Sequence, residues 1–246
     1  MTDERGPERD WSEGDSRLFI DEGRYFVPER ELQIETIGAL IPPIDGPAHL
    51  VELCCGEGLL SRALLERFPQ ATVHAYDLSP TMLASAKAKA GDHAARLVTC
   101  EFRLEAADWR RPDFSAHAVV TSLAVHHLDG AQKQALFCDL FDIVAPGGVF
   151  VLADLVAPTR AAGVAIAADM WDEAVKERAL ALDGNLAAFQ RFREADWNFY
   201  AMAGPDSIDK PSTLLDQLRW IEAAGFRNVD VHWMKAGHAI MSALRP

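Results

Sequence analysis

The sequence has no apolar stretch that could cross a bilayer. Its aliphatic runs, such as residues 149–153, fall far short of the roughly 20 residues a span requires, so no membrane association is expected. An apolar leader is missing too. The first residues include Thr2, Asp3, Glu4 and Arg5, which reads as a cytoplasmic rather than a secreted start. Positive charge is in deficit, with 24 Lys and Arg against 37 Asp and Glu for a net charge of −13. Phosphate neutralisation supplies most of the affinity of polynucleotide binders, so this balance favours a small-molecule partner over nucleic acid. Cysteine is scarce: Cys54, Cys55, Cys100 and Cys138 stand in no Cys-x-x-Cys or Cys/His ligand spacing. No metal site is therefore expected, and Cys100 and Cys138 read as small apolar residues in or beside a sheet.

What is present suits one α/β domain. Residues 1–16 are charged and nearly free of aliphatics, and read as a mobile tail before a single domain over 17–246. A helix is expected from about Pro28, presenting Leu32, Ile37 and Leu40 and ending at Pro42-Pro43. Short apolar runs then alternate with helical stretches. Strands are predicted at 49–53, 72–76, 97–104, 118–123 and 149–153, with helices at 59–68, 80–90 and 131–144. Ser79 and Pro80 are a good N-cap and first-turn pair. Such alternation implies a doubly wound, Rossmann-like parallel sheet covered on both faces. Residues 156–210 interrupt it with Ala-rich helices (164–182, 186–197) and read as a helical cap inserted after the fifth strand. Ser212 is the expected N-cap of a last helix, closed by Gly225. Strands at 229–234 and 238–244, joined through Lys235-Ala236-Gly237, must be antiparallel because a parallel crossover needs a dozen or more residues. The sheet then has seven strands and ends in a hairpin.

The first strand runs into Glu52-Leu53-Cys54-Cys55-Gly56-Glu57-Gly58. Glycines at the carboxyl end of a strand allow the tight backbone that ligand loops of doubly wound sheets need. A dinucleotide fingerprint would ask for a third glycine where Ser61 stands. A pyrophosphate needs that close approach; a ligand without phosphates does not. Glu52 is awkward beside a pyrophosphate and useful beside an ammonium group. Asp77 ends the second strand about 20 residues beyond Gly58, the spacing of a carboxylate that accepts ribose hydroxyls. Its alternative role, capping the next helix, is better filled by Ser79.

Taken with His74-Ala75-Tyr76-Asp77-Leu78-Ser79-Pro80, Ala106-Ala107-Asp108-Trp109, Ser122-Leu123-Ala124-Val125-His126-His127-Leu128 and Pro146-Gly147-Gly148, this loop resembles the successive motifs of class I S-adenosylmethionine-dependent methyltransferases. The resemblance covers about residues 20–155 and 212–244. It implies S-adenosyl-L-methionine as cofactor and S-adenosyl-L-homocysteine as product. It also implies residue roles. Glu52 would sit near the cofactor's ammonium, with Gly56 and Gly58 against its methionine portion. Asp77 would hold the ribose between Leu78 and Met82, Asp108 would accept from the adenine amino group beside Ala107 and Trp109, and Ser122, Leu123 and Ala124 would contact the methionine moiety. Cys54 departs from the pattern, standing where a first glycine is usual, which bears on the local backbone shape.

Residues 25–30 and 206–212 are similar to a subgroup that includes carboxy-S-adenosylmethionine synthases and small-molecule methyltransferases. In that subgroup an N-terminal helix folds over the cofactor, with an aromatic or basic residue at its carboxylate. Tyr25 and Arg30 fit the description; packing and a solvated charge are their plain alternatives. Methyl transfer is an in-line displacement that asks the protein to align the acceptor and, where needed, take its proton. His126, His127 and Asp154, near the ends of strands four and five, are the candidates, with capping or packing as the competing role. Trp171, Trp197 and Tyr200 could line an acceptor pocket or pack the cap. Two rival readings remain open. One is a synthase of a modified sulfonium, with Arg191 or Arg193 meeting the extra carboxylate. The other is a cofactor-binding regulatory protein without turnover; a nicotinamide oxidoreductase is disfavoured by Ser61 and the terminal hairpin. Related folds often form homodimers, but no sequence feature specifies an oligomeric state.

Overall fold

The fold follows from short β-branched runs punctuated by caps and turns, as a computed structural model covering residues 11–201 and 208–246 makes explicit. Among these residues the strands are β1 (Ala48–Leu53), β2 (Ala71–Asp77), β3 (Leu97–Glu101), β4 (Ala116–Ser122), β5 (Val144–Leu155), β6 (Arg227–Lys235) and β7 (His238–Leu244). They form one sheet in the order β3-β2-β1-β4-β5-β7-β6. The first five run parallel, and β7 enters antiparallel between β5 and β6. This order puts the reversal of winding between β1 and β4, the place where open α/β sheets leave a crevice at their carboxyl ends. β1, β4 and β5 are the buried centre, with Leu50, Val120 and Val151 on one face and Leu53, Val119 and Leu152 on the other.

The helices are α1 (Glu13–Phe26), α2 (Arg30–Leu40), α3 (Leu59–Arg67), α4 (Pro80–Ala90), α5 (Gly130–Ile143), α6 (Ala161–Asp183), α7 (Ala187–Glu194) and α8 (Leu214–Ala223). None is long and apolar enough to cross a membrane. α4 has the expected cap, Met82 N donating to Ser79 Oγ at 3.1 Å. α5 begins with a capping box between Asp129 and Gln132.

Several expectations change. Helix α1 begins at Glu13, inside the stretch read as tail, because Ser12 and Asp15 form a capping box; residues 1–10 of that stretch lie outside the described residues. β3 stops at Glu101 rather than 104, and α7 at Glu194 rather than 197. Thr213, not Ser212, caps α8, because the Ser212 hydroxyl is taken by Lys133. Leu32 is exposed. Cys100 and Cys138 are exposed as well, since β3 is an edge strand and Cys138 lies on the outer face of α5.

The described part of the 156–210 insertion packs onto α1 rather than standing apart. Tyr25 and Phe26 share a cluster with Trp171, Val175, Phe192 and Leu155, the last at the carboxyl end of β5. Residues 202–207, including the start of the 206–212 stretch, lie outside the described residues.

Candidate functional site

The loop after β1 is shaped by left-handed backbone at three positions: Cys54 at φ 54°, Gly56 at 53° and Gly58 at 84°. Cysteine therefore takes the conformation a first glycine would supply, at a cost of roughly 1 kcal/mol. The departure from the motif leaves the loop shape intact. Gly58 has a second constraint, since a Cβ there would lie 2.5 Å from the Ala86 Cα on α4.

Asp77 ties this loop to the next one. Its Oδ2 accepts from Gly56 N at 2.8 Å and its Oδ1 from Ser79 N at 2.9 Å. The carboxylate is 8% exposed, and burial pushes its pKa up against these backbone donors. Glu52 is buried at the end of β1 and accepts from the Ser61 hydroxyl. Burial raises it to about 8. Ser61, the residue that broke the dinucleotide pattern, thus serves as the partner of Glu52. Leu78 is half-buried and Met82 buried at the first turn of α4. Ala107 and Asp108 lie exposed on the turn after β3. Trp109 packs edge-on to Phe102 at 5.2 Å, and its buried indole N–H has no hydrogen-bond partner. Beyond β4, Leu123 takes φ 56° and its N–H donates to Ala153 O, which fixes the turn through Ser122 and Ala124.

Helix α1 closes over this end of the sheet. The Thr81 hydroxyl, and after it that of Ser79, draws the Glu13 carboxyl below its usual range. Arg30 is not free to meet a ligand carboxylate. It is ion-paired to the buried Glu57 at 2.8 Å, Lys89 holds the other Glu57 oxygen at 2.9 Å, and Phe19 covers the guanidinium. Tyr25 points into the cap, its hydroxyl donating to Asp183 at 2.7 Å. The two residues named for one role are thus held in separate places by their own partners.

A second cluster forms where β4 and β5 end. His126 Nδ1 donates to Asp154 Oδ1, while Nε2 lies 3.4 Å from Asp209 Oδ1. His127 Nδ1 is 3.2 Å from the same Asp209 oxygen. Burial opposes a charge on His126, but Asp154 and Asp209 outweigh it and hold the imidazole protonated, to about 10. Burial and the His126 charge push His127 down. Asp209 is held far below the ordinary carboxylate range, burial being outweighed by the two histidines. The segment carrying Asp209 is anchored by Lys210 N donating to His126 O at 2.6 Å. Buried Lys133 adds bonds to Lys210 O and to Ser212 Oγ.

Trp197 belongs near this cluster. It stacks on Phe19 at 5.9 Å and meets Trp11 at 6.1 Å, and Trp11 in turn lies 5.9 Å from His127. Trp171 and Tyr200 have other partners. The Trp171 indole donates to Phe26 O at 2.7 Å, and the Tyr200 hydroxyl sits 2.7 Å from Gly237 O. Asp209, Lys133 and Trp11 were not foreseen from sequence. A lone aspartate before Lys210-Pro211 and a lone tryptophan among charges carry no local pattern; a lysine on the inner face of α5 was the one visible anomaly.

Comparison with known proteins agrees with this architecture. Residues 50–148 match the family described as Methyltransferase domain. The trans-aconitate 2-methyltransferase of Methylobacterium radiotolerans is 35% identical over 148 residues, 56% of this chain and 52% of that protein. The chain spans about half the length of that curated relative. A malonyl-[acyl-carrier protein] O-methyltransferase of Ilyobacter polytropus is 27% identical over 100 residues, 41% of this chain and 35% of that protein. Among solved structures, an O-methyltransferase family protein from Burkholderia thailandensis superposes with a TM-score of 0.64 at 16% identity, over 94% of this chain and 59% of that one, which speaks for the fold. Sheet order, terminal hairpin and the methyltransferase-domain match over residues 50–148 make the chain similar to class I S-adenosylmethionine-dependent methyltransferases.

Proposed function

We propose that this protein transfers a methyl group from S-adenosylmethionine to an oxygen of a small-molecule acceptor. The observation that carries the donor side is the pair of buried carboxylates, Glu52 and Asp77, at either side of the left-handed Cys54–Gly58 loop. Both are raised above their ordinary pKa by burial, with no cation among the described residues drawing them down. Such a pair, with an unpartnered indole N–H at Trp109, suits a ligand that brings an ammonium, hydroxyls and an acceptor edge.

In this reading Glu52 holds the ammonium and Asp77 the ribose hydroxyls. Gly56, Gly58 and the Ser122–Ala124 turn lie along the methionine portion, and Leu78, Met82, Asp108 and Trp109 serve the adenine. The bound cofactor supplies a methyl group already activated on a sulfonium. The chain's own task is to exclude water and align the acceptor. His126, His127 and Asp154 stand at the acceptor end as positioning groups, beneath the aromatic cover of Trp11 and Trp197. The names of the relatives, which methylate trans-aconitate and malonyl-acyl carrier protein, support a small oxygen acceptor. The synthase reading is less well supported, because Arg191 is paired with Glu22 and Arg193 with Asp172.

Calorimetry tests the reading. S-adenosylmethionine and S-adenosylhomocysteine should bind with one site per chain, and NAD should not. Preferential NAD binding would overturn it. Methyl-³H transfer from the labelled cofactor to a panel of small carboxylic and hydroxy acids should then give product; transfer only to nitrogen or carbon acceptors would refute the oxygen assignment.

A further inference from the structure

The His126–His127–Asp209 cluster brings three metal-ligating atoms together where β4 and β5 end. One ligand atom from each of the three residues lies within 4.8 Å of the others. Charge-assisted contacts between a histidine and a carboxylate close to about 2.7–2.9 Å. Here the separations are 3.4 Å from His126 Nε2 to Asp209 Oδ1 and 3.2 Å from His127 Nδ1 to the same oxygen. Tetrahedral ligands at roughly 2.0–2.2 Å from a metal stand about 3.3–3.6 Å apart, close to the two histidine–carboxylate separations.

Two further observations point the same way. His127 Nδ1 is buried and, at 3.2 Å from Asp209 Oδ1, is not aligned for a well-formed hydrogen bond. His126 gives its other nitrogen to Asp154, so its Nε2 is the atom turned toward the cluster. A carboxylate behind a ligand histidine is the usual outer-shell arrangement of metal sites, fixing ring orientation and tautomer. Asp154 is itself immobilised by Leu155 N at 2.8 Å.

We propose that His126 Nε2, His127 Nδ1 and Asp209 Oδ1 form a binding site for one divalent transition-metal ion, oriented by Asp154, the ion displacing the Nε2 proton of the imidazolium to solvent as it binds. Two imidazoles and one carboxylate suit Zn²⁺, Co²⁺ or Mn²⁺ rather than Ca²⁺. Three protein ligands leave at least one position for an outside group, as catalytic sites do and closed structural sites do not. The Trp11 ring lies 5.9 Å from that of His127, on the border of the cluster. On the reading of this end as the acceptor site, and only there does the inference rest on it, the ion would hold an acceptor carboxylate or hydroxyl oxygen and favour its ionised form.

The test uses tag-free protein, stripped with chelator and dialysed, and titrated calorimetrically with ZnCl₂. The expected result is one ion per chain with Kd at or below about 1 µM. Asp209→Asn and His127→Gln should each weaken binding at least about tenfold, and the exposed-site control His232→Gln should leave it unchanged. Where a variant does not fold, Co²⁺ added to the wild-type protein decides: a strong visible band of a four- or five-coordinate ion supports the site. A weak aquo-like spectrum overturns it, as does zinc binding that is absent or equal in the Asp209 variant; the cluster is then a His126 imidazolium bridging two carboxylates. S-adenosylhomocysteine binding in the same samples separates the two claims. If it persists while zinc fails, only the metal site falls; if it is absent, the methyltransferase reading falls with it.

Discussion

The two ends of the candidate site are built in opposite ways. The donor end is a matter of backbone: Cys54, Gly56 and Gly58 set a loop, and Asp77 accepts N–H bonds from Gly56 and Ser79. Its loop and carboxylates fall in two short stretches, 52–61 and 77–82, on adjacent strand–helix units, with Asp108, Trp109 and the Ser122–Ala124 turn added from the ends of β3 and β4. The proposed acceptor end is a matter of side chains drawn from remote places. His126 follows β4, Asp154 ends β5, Asp209 precedes α8, and Trp11 arrives from before α1. A backbone-built site tolerates little change in shape but much in side-chain identity. A side-chain site behaves the other way round, and the relatives differ in the acceptors they are named for.

The steepest test of this contrast is Gly58→Ala. Its Cβ would meet the Ala86 backbone at 2.5 Å in a left-handed conformation, so a loss of about 2–4 kcal/mol is expected. Thermal denaturation should fall by roughly 5–10 °C; a shift under about 2 °C would show that the loop and α4 move apart freely. Next comes Asp77→Ala, which removes both loop contacts and should weaken S-adenosylhomocysteine binding at least about tenfold, the value of a charge-assisted hydrogen bond of roughly 1.5–3 kcal/mol. His126→Asn at the other end should change that affinity less than about threefold. Equal losses from both variants would erase the distinction between the ends.

Glu52 gives a pH-dependent test. Its carboxyl rises from an ordinary 4.5 to about 8 on burial, so the folded state retains a proton the unfolded chain has lost. Stability from this group is therefore present below about pH 4.5, declines as pH rises, and levels off above 8. Glu52→Gln should flatten the Tm-versus-pH curve across that window. It should also abolish a rise in S-adenosylmethionine affinity between pH 6 and 8, which in the wild type follows ionisation of Glu52 beside an ammonium. A wild-type affinity indifferent to pH over this range would remove Glu52 from the ammonium. The smallest effect is expected of Cys54→Gly. It relieves a left-handed cysteine but loosens the unfolded chain, so a net change below about 1 kcal/mol and unaltered cofactor affinity should follow.

Much of this was legible in the chain itself. The parallel core, the terminal hairpin and the Pro80–Ala90 helix follow from apolar period, Ser79-Pro80 and the short Lys235–Gly237 turn, because those signals are local. The loop and Asp77 could be found for the same reason. Sequence also disfavoured a dinucleotide loop through Ser61, but did not show what Ser61 does, since its partner Glu52 is reached only when α3 folds back on β1.

Tertiary structure alone decided the rest. Tyr25 and Arg30 sit close together in the chain, yet Asp183 takes one and Glu57 the other. Helix α1 begins four residues earlier than its charge suggests, because one capping box and the apolar wall of α6 and α7 outweigh composition. His126 and His127 looked alike as letters. Asp154 on one side and Asp209 on the other make them different, and neither carboxylate is near them until β5 and the segment before α8 have docked. Motifs that use the backbone are written in consecutive residues; charges that must face one another across a buried space are placed only by the fold.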